Sequence, residues 1–221
     1  MTAPSYTTLA KLKTITNTPL TDTSRDEFYS DVVTDCSRLI DTWTRNQFYP
    51  TTETRYFDYQ EPFRLMLDKR LVSVMAFTNG DGLTVQVDTA ATKSINTEAL
   101  LYPLNPKYPC YDRIELLRNV GRVLYFTNTP QAALSVSGVW GYPTVPDEIV
   151  EATNRLISYV AHELDLGGVV REESDTYRDF YVNFMEGLKT PPSAVVPIVD
   201  RFKFVRLANA MPTNEVIFWS N

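Results

Sequence analysis

Carboxylates are the side chains whose type and spacing come nearest to a chemical site in this sequence. Glu172, Asp175 and Asp179 recur at i, i+3 and i+7 of one predicted helix, and three carboxylates on one side of a helix can bind a hard cation. Asp112 and Glu115 lie in one predicted strand, where a spacing of three places them on opposite faces. The favoured interpretation of both groups is solvated charge, so we expect no metal site and no catalytic carboxylate pair.

The motifs of the common catalytic and cofactor sites are absent from the sequence. There is no GxxxxGK[ST], no GxGxxG, no CxxC, no HExxH and no GxSxG. The one histidine, His162, is expected at the surface, and the two cysteines, Cys36 and Cys110, are expected as free thiols. We therefore expect a protein that is not an enzyme and that uses no cofactor.

The charge is distributed unevenly along the chain. Of 221 residues with a net charge of −6, the segment 147–189 holds ten acidic and four basic residues, and the remainder is balanced. Such a chain is not expected to grip DNA, because binding by phosphate neutralisation needs a basic surface. No apolar run is long enough to span a membrane, and the N-terminus does not have the pattern of a secretory signal.

Hydrophobic periodicity predicts helices at both ends of the sequence. Short and long helices are predicted at 5–14 and 24–45, the second with a capping box formed by Ser24 and Glu27. Helices at 147–166 and 172–187, separated by Gly167-Gly168, should form an antiparallel hairpin. The outer face of that hairpin would carry Glu151, Glu163, Glu172, Glu173, Asp175 and Asp179.

Between the helices the periodicity changes to that of strands. Runs rich in β-branched and aromatic residues fill 53–142, and turn signals such as Asn79-Gly80-Asp81-Gly82 separate them. The predicted fold class is α+β: an N-terminal helix pair and a C-terminal helical hairpin with an inserted antiparallel β-region. A Pro-rich linker at 189–197, an alternating strand at 200–207 and the apolar run 216–219 predict an extended C-terminal arm over 191–221, after a domain of 1–190.

Several stretches of sequence carry a resemblance to a known family. They are LIDTWTRNQF (39–48), TRYFD (54–58), RLMLDKRLVSVMAFTNGDG (64–82) and VSGVWGYPTVPDEIVEAT (136–153). In this order they resemble the head–tail connector, or adaptor, proteins of tailed bacteriophages and of their prophage and gene-transfer relatives. The resemblance covers about 5–188. The large β-region and the tail after 190 depart from the compact helical members.

The resemblance implies a virion structural protein. Such a protein forms a ring, usually a dodecamer, below the portal protein in the virion neck, after assembly in the cytoplasm of the host bacterium. It joins the DNA-filled head to the next neck or tail-terminator protein and extends the channel for double-stranded DNA, which passes without specific binding. A ring needs two complementary lateral surfaces and no active site. We hypothesise that the acidic face of the helical hairpin lines this channel and repels phosphates.

The resemblance also implies a role for the C-terminal arm, because an arm in related adaptors commonly reaches the portal. An alternating segment that ends in VIFW is unsuited to remain exposed, and strand addition to a neighbouring subunit or to the portal would cover it. The alternative is that the tail returns to its own sheet. The expected contact residues of the arm are the anchors Phe202, Phe204, Phe218 and Trp219, with the rim charges Arg201, Lys203 and Arg206.

Three other interpretations remain open at this point. One is another neck or tail structural protein, such as a tail terminator or a head-completion protein. A second is a carbohydrate-binding module for host recognition, with Trp43, Trp140 and Trp219 as stacking platforms. A third is an enzyme with a metal bound by carboxylates, including Asp175.

Overall fold

The protein has an α+β fold, as the sequence predicts. A computed structural model describes residues 3–58, 63–78, 85, 87–88, 98–117, 134–164, 166 and 175–203. The helices are α1 (Leu9–Ile15), α2 (Asp26–Thr44), α3 (Asp147–Glu163), α4 (Asp175–Gly187) and α5 (Val196–Phe202). The strands are β1 (Thr51–Phe57), β2 (Arg64–Thr78), β3 (Val87–Asp88), β4 (Ala99–Tyr102), β5 (Tyr111–Leu116) and β6 (Leu134–Trp140).

The helices pack around a core of their own. The apolar stripe of α2 buries Val32, Cys36 and Ile40, and that of α3 buries residues such as Leu156 and Val160. These positions recur every three or four residues, the spacing that places side chains on one face of a helix. The hydroxyl of Tyr181 on α4 donates to a carboxylate oxygen of Asp35 on α2 at 2.7 Å, and the phenol's pKa is raised by burial.

The strands form one sheet in the order β1-β6-β2-β5-β4-β3. The pairs are antiparallel except for the two-residue parallel pair of β3 and β4. The early part of β2, Arg64–Met66, pairs with β5, whereas 71–78 pairs with β6, and irregular register separates the two parts. Register shifts of this kind bend a strand. Residues of the sheet form a second core that includes Leu65, Ile114 and Trp140.

The loop between α1 and α2 is held by a buried lysine. The Lys13 side chain is 3% exposed, and its Nζ lies 2.5 Å from Oδ1 of Asp26. The same ammonium donates to the carbonyl oxygens of Asp22, at 2.6 Å, and Leu20, at 3.4 Å. Burying a charge without such partners is costly, so these three contacts hold Lys13 and the loop between α1 and α2 in a fixed position.

Lys13→Met is expected to lower the free energy of unfolding by roughly 2–4 kcal/mol, because the substitution leaves a carboxylate and two carbonyl oxygens without their shared cation. Urea denaturation measures the change. Lys11→Met, at an exposed position of the same helix, is the matched control and should stay within about 0.5 kcal/mol of the wild type. Equal effects of the two substitutions would show that the contacts of Lys13 do not stabilise the fold.

The structure corrects several sequence-based predictions. Ser24 does not cap α2: its hydroxyl donates to Oδ1 of Asp22 at 2.7 Å, and Arg25 is the N-cap residue. The runs predicted as separate strands at 63–67 and 72–78 are parts of the single strand β2. The strand predicted at 122–127 lies outside the described residues.

The prediction for the C-terminal tail is wrong over its first residues. Residues 200–202, predicted to begin a strand, are the end of helix α5, and the predicted linker 189–197 includes the start of that helix. Val195, Ile198, Val199 and Phe202 are buried in the helical core, at the i, i+3, i+4, i+7 spacing of one helix face. The packed part of the chain therefore continues past 190 and includes α5.

Candidate functional site

The acidic face predicted for the helical hairpin is exposed where the structure describes it. Glu151 and Glu163 on α3 and Asp179 on α4 are all exposed. Glu151 accepts from Nε of Arg155 at 2.8 Å, an i,i+4 pair between two half-exposed side chains that contributes little stability. Glu163 lies 3.8 Å from Nδ1 of His162, whose side chain is 87% exposed, as expected of a surface histidine.

The other three acidic residues of the predicted face remain untested. Glu172 and Glu173 lie outside the described residues, and Asp175 is described only as the first residue of α4. Within the described part of the chain, no three His, Cys, Asp or Glu side chains are close enough together to hold a metal ion. No helix in that part is both long and apolar enough to cross a membrane.

The root of the predicted arm is fixed to the body of the protein. The ring of Phe202 packs against the rings of Phe48 and Tyr108 at centroid distances of 5.6 and 5.7 Å. Its carbonyl oxygen accepts from Nδ2 of Asn46 at 2.7 Å, and Asn46 itself is 7% exposed. Phe202 is thus a core residue in this structure, and a projecting arm would begin after it.

The remaining predicted arm residues fall into two groups. Arg201 and Lys203 are exposed, and their hydrogen bonds are local, to the carbonyl oxygen of Pro197 and to a carboxylate oxygen of Asp200. The other four lie outside the described residues: Phe204, Arg206, Phe218 and Trp219.

One face of the β1-β6-β2 part of the sheet is open and carries no charge, a feature that sequence reasoning missed. Three cross-strand rows form this open face, and all of its residues are exposed or half-buried. Residues directly opposite one another in paired strands project to the same side of a sheet. The rows are Thr52, Val139 and Ser73; Thr54, Ser137 and Ala76; Tyr56, Ser135 and Thr78. The available signal was the alternation of uncharged residues in β1 and β6.

The opposite side of β1 carries charges, which pair with one another around Trp140. Arg55 donates to both carboxylate oxygens of Asp68, at 2.9 and 2.5 Å, and Nζ of Lys69 donates to Oε1 of Glu53 at 2.9 Å. Burial alone would raise the pKa of Glu53, but hydrogen bonds from Lys69 and Arg55 outweigh burial and lower it. Two positive and two negative groups therefore compensate each other beside the β-core.

The tryptophans in the described part of the chain are packing residues. The indole of Trp140 is fully buried and donates to the carbonyl oxygen of Glu53 at 3.0 Å, with the Arg55 guanidinium 5.5 Å from the ring centre. Trp43 is 9% exposed and donates to the carbonyl oxygen of Lys189 at 3.2 Å. Neither ring presents a face for stacking against a sugar, and Trp219 lies outside the described residues.

The N-terminal segment is fastened to α2 through a buried tyrosine. The Tyr6 hydroxyl donates to Oδ1 of Asp41 and accepts from the backbone N–H of Phe48 at 3.0 Å. Arg38 lies 2.9 Å from the other carboxylate oxygen of Asp41. Burial raises the pKa of Asp41 to about 6, and the Tyr6 hydrogen bond and the Arg38 charge offset burial only in part.

Asp41 is expected to make the stability depend on pH. The folded protein holds this proton more tightly than the unfolded chain, where the pKa is near 3.8, so the contribution of Asp41 falls as pH rises from about 4 to about 6. The difference between the two pKa values corresponds to about 3 kcal/mol in the free energy of unfolding. Urea denaturation of the wild type and of Asp41→Asn between pH 4 and 7 measures it: the stability of the wild type relative to the variant should fall across this range. A constant difference would contradict the assignment.

Comparison with solved structures gives an informative likeness. No family model and no curated protein matches the chain. A solved structure described as the neck of an empty GTA (gene transfer agent) particle, computed with C6 symmetry, contains a chain of similar fold. The TM-score is 0.51, the sequence identity is 13%, and the match covers 94% of each chain. The likeness extends over nearly the whole molecule, and at this identity it establishes the fold.

Proposed function

We propose that this protein is a structural component of the neck of a tailed-phage-like particle, where it forms a ring between the portal and the tail. The single observation that carries the proposal is the match of fold to a neck protein of a gene transfer agent over 94% of both chains. The sequence resemblance to head–tail adaptors points to the same class of protein. In this function the protein acts by assembly and catalyses no reaction.

The acidic face of α3 and α4 suits the wall of a DNA channel. Glu151, Glu163 and Asp179 are exposed, and like charge would keep phosphates from binding while DNA passes. The sequence places the whole net charge of −6 in the segment that contains these helices. Reversing Glu163 and Asp179 to lysine would add binding sites for phosphate and is the direct test of this part of the proposal.

The tail beyond Lys203 is the part of the chain best suited to contact another protein. Phe204, Phe218 and Trp219 supply large apolar side chains, and Arg206 adds a positive charge. Aromatic residues and arginine are the side chains most enriched where proteins bind one another. The portal is the proposed partner of this tail, as the sequence resemblance implies.

The alternative functions are less well supported. A tail terminator or head-completion protein belongs to the same structural class, and position within the particle separates it from an adaptor. For a carbohydrate-binding module, the sequence offers Trp43, Trp140 and Trp219 as stacking platforms, but Trp43 and Trp140 are buried.

Binding to purified particle intermediates tests the proposal. Tagged protein is mixed with DNA-filled, tailless heads and with complete particles, and bound protein is located by electron microscopy of a gold label. We expect label at a single vertex of the tailless heads and no added label on complete particles, whose neck is already occupied. Label only at the tail tip, or on neither particle, would contradict a neck function.

A further inference from the structure

Among the described residues, strand β1 lies at the edge of the sheet and has the properties of a strand that another chain completes. It pairs with β6 in unbroken register from Thr51 to Phe57, and within the described residues β6 is the one strand that is hydrogen-bonded to it. Natural edge strands are commonly protected by bulges, prolines or outward-pointing charges. The outward residues of β1 are Thr52, Thr54 and Tyr56, none of them charged. The seven-residue edge is therefore fit to accept an additional strand.

The surroundings of β1 also favour a protein partner. The charged residues of this strand, Glu53 and Arg55, lie on its other side and are paired with Lys69 and Asp68, so they do not repel an incoming strand. The open face next to the edge is uncharged, and the side chain of Tyr56 is 67% exposed. Interface centres are depleted of charge and enriched in tyrosine.

The chain itself contains a segment that can supply the strand. After helix α5, the sequence Lys-Phe-Val-Arg-Leu at 203–207 contains Phe204 and Val205, two residue types that favour strands, and it contains no proline or glycine. Segment 203–207 starts directly after Phe202, and its five residues span about 17 Å when extended. It can therefore reach the edge of a second copy that packs beside the end of α5.

The point at which the tail starts favours an extended direction. Lys203, the residue that follows α5, has φ −55° and ψ 123°, which is extended rather than helical backbone.

From these observations we infer that the β1 edge of one copy binds segment 203–207 of a second copy as an added strand. The inference rests on the proposed ring and identifies the surface that links its copies. Each copy would offer its tail to the next and its β1 edge to the previous one, a head-to-tail contact of the kind that closes rings. Tail residues beyond 207 remain available for the portal.

Disulfide trapping between two differently tagged full-length chains tests the inference. One chain carries Thr54→Cys and the other carries Val205→Cys, and the native Cys36 and Cys110 are buried. After mixing and mild oxidation, we expect a disulfide-linked heterodimer in at least tenfold excess over a control pair. In the control, Thr42→Cys, at an exposed position on α2, replaces Thr54→Cys. Unchanged thermal melting of each variant confirms that the folds are intact.

A cysteine scan of 203–207 against Thr54→Cys allows for a shift in register, because cross-strand partners alternate every two residues. A heterodimer that forms at alternate positions supports an added strand. Equal trapping by Thr42→Cys, or no heterodimer at any position, overturns the inference. Trapping only within a single chain that carries both cysteines also overturns it, because the tail would then bind its own β1.

The same trapping inside purified particles separates the inference from the proposed function. Particles that contain the protein in their neck but yield no disulfide between copies overturn the strand exchange and leave the neck function intact. A heterodimer from purified protein that is missing from all particles supports the exchange and contradicts the neck function.

Discussion

Gly141→Ala is expected to destabilise the protein by roughly 4 kcal/mol, a large part of the ~5–15 kcal/mol by which domains are ordinarily stable. Gly141 has a φ of +101°, and a Cβ built there would lie 2.1 Å from the carbonyl oxygen of Tyr49. Both the positive φ and the contact oppose any side chain. Gly141 lies between Trp140 of the β-core and Tyr142 of the helical core. A shift of the backbone at 141 would therefore disturb the packing of both cores. Urea denaturation measures the loss.

The matched control for this substitution is Gly187→Ala. Gly187 ends α4, and no atom lies within 4 Å of a Cβ built there. Alanine at this position should leave stability unchanged or raise it by up to about 1 kcal/mol, because alanine favours the helix and restricts the unfolded chain. If Gly141→Ala were as stable as Gly187→Ala, the close approach of 141 to Tyr49 would not constrain the fold.

Deletion of 204–221 is expected to lower incorporation into the neck more than tenfold while leaving the fold intact. The described packing of the C-terminal region ends with Phe202, which contacts Phe48 and is bound by Asn46, and both contacts are retained in the shortened chain. The deleted residues contain the apolar segments proposed to bind a neighbouring copy and the portal. Quantitative immunoblotting of purified particles measures incorporation, and thermal melting of the free protein checks the fold.

Two smaller variants locate the cause of this loss. Phe218→Ala combined with Trp219→Ala removes the terminal anchors, whereas Leu104→Ala removes an exposed apolar side chain from the loop before β5 and serves as the control. We expect the first variant to lower incorporation and the second to leave it unchanged. Undiminished incorporation of the deleted chain would exclude the arm, and a drop in its melting temperature would show that 204–221 belongs to the core.

The helices could be predicted because their burial follows local periodicity. The predictions of 24–45 and 147–166 match α2 and α3 to within a few residues, since both sequences place apolar side chains on one face. The same spacing occurs at Val195, Ile198, Val199 and Phe202. The sequence nevertheless favours a linker and a strand there, because prolines precede the segment and Phe202 and Phe204 alternate with charged residues. A proline in the first turn is compatible with a helix, and Pro197 lies there.

The contacts that define the surfaces could not be read from the sequence, because they join distant residues. The pairing of Arg55 with Asp68 joins β1 to β2, and the open face depends on the register among three strands. Sequence periodicity indicated which residues of the acidic hairpin would be exposed, and Glu151, Glu163 and Asp179 are exposed. It did not indicate that Phe202 lies within the helical core, since that depends on its contacts with Phe48 and Tyr108.

Cryo-electron microscopy of the neck of purified particles tests the central claim most directly. The account predicts a closed ring of this chain between portal and tail, with the acidic face of α3 and α4 toward the channel. It also predicts a tail strand from each neighbour along β1. A neck that lacks this chain, or its presence only at the tail tip, would contradict the account.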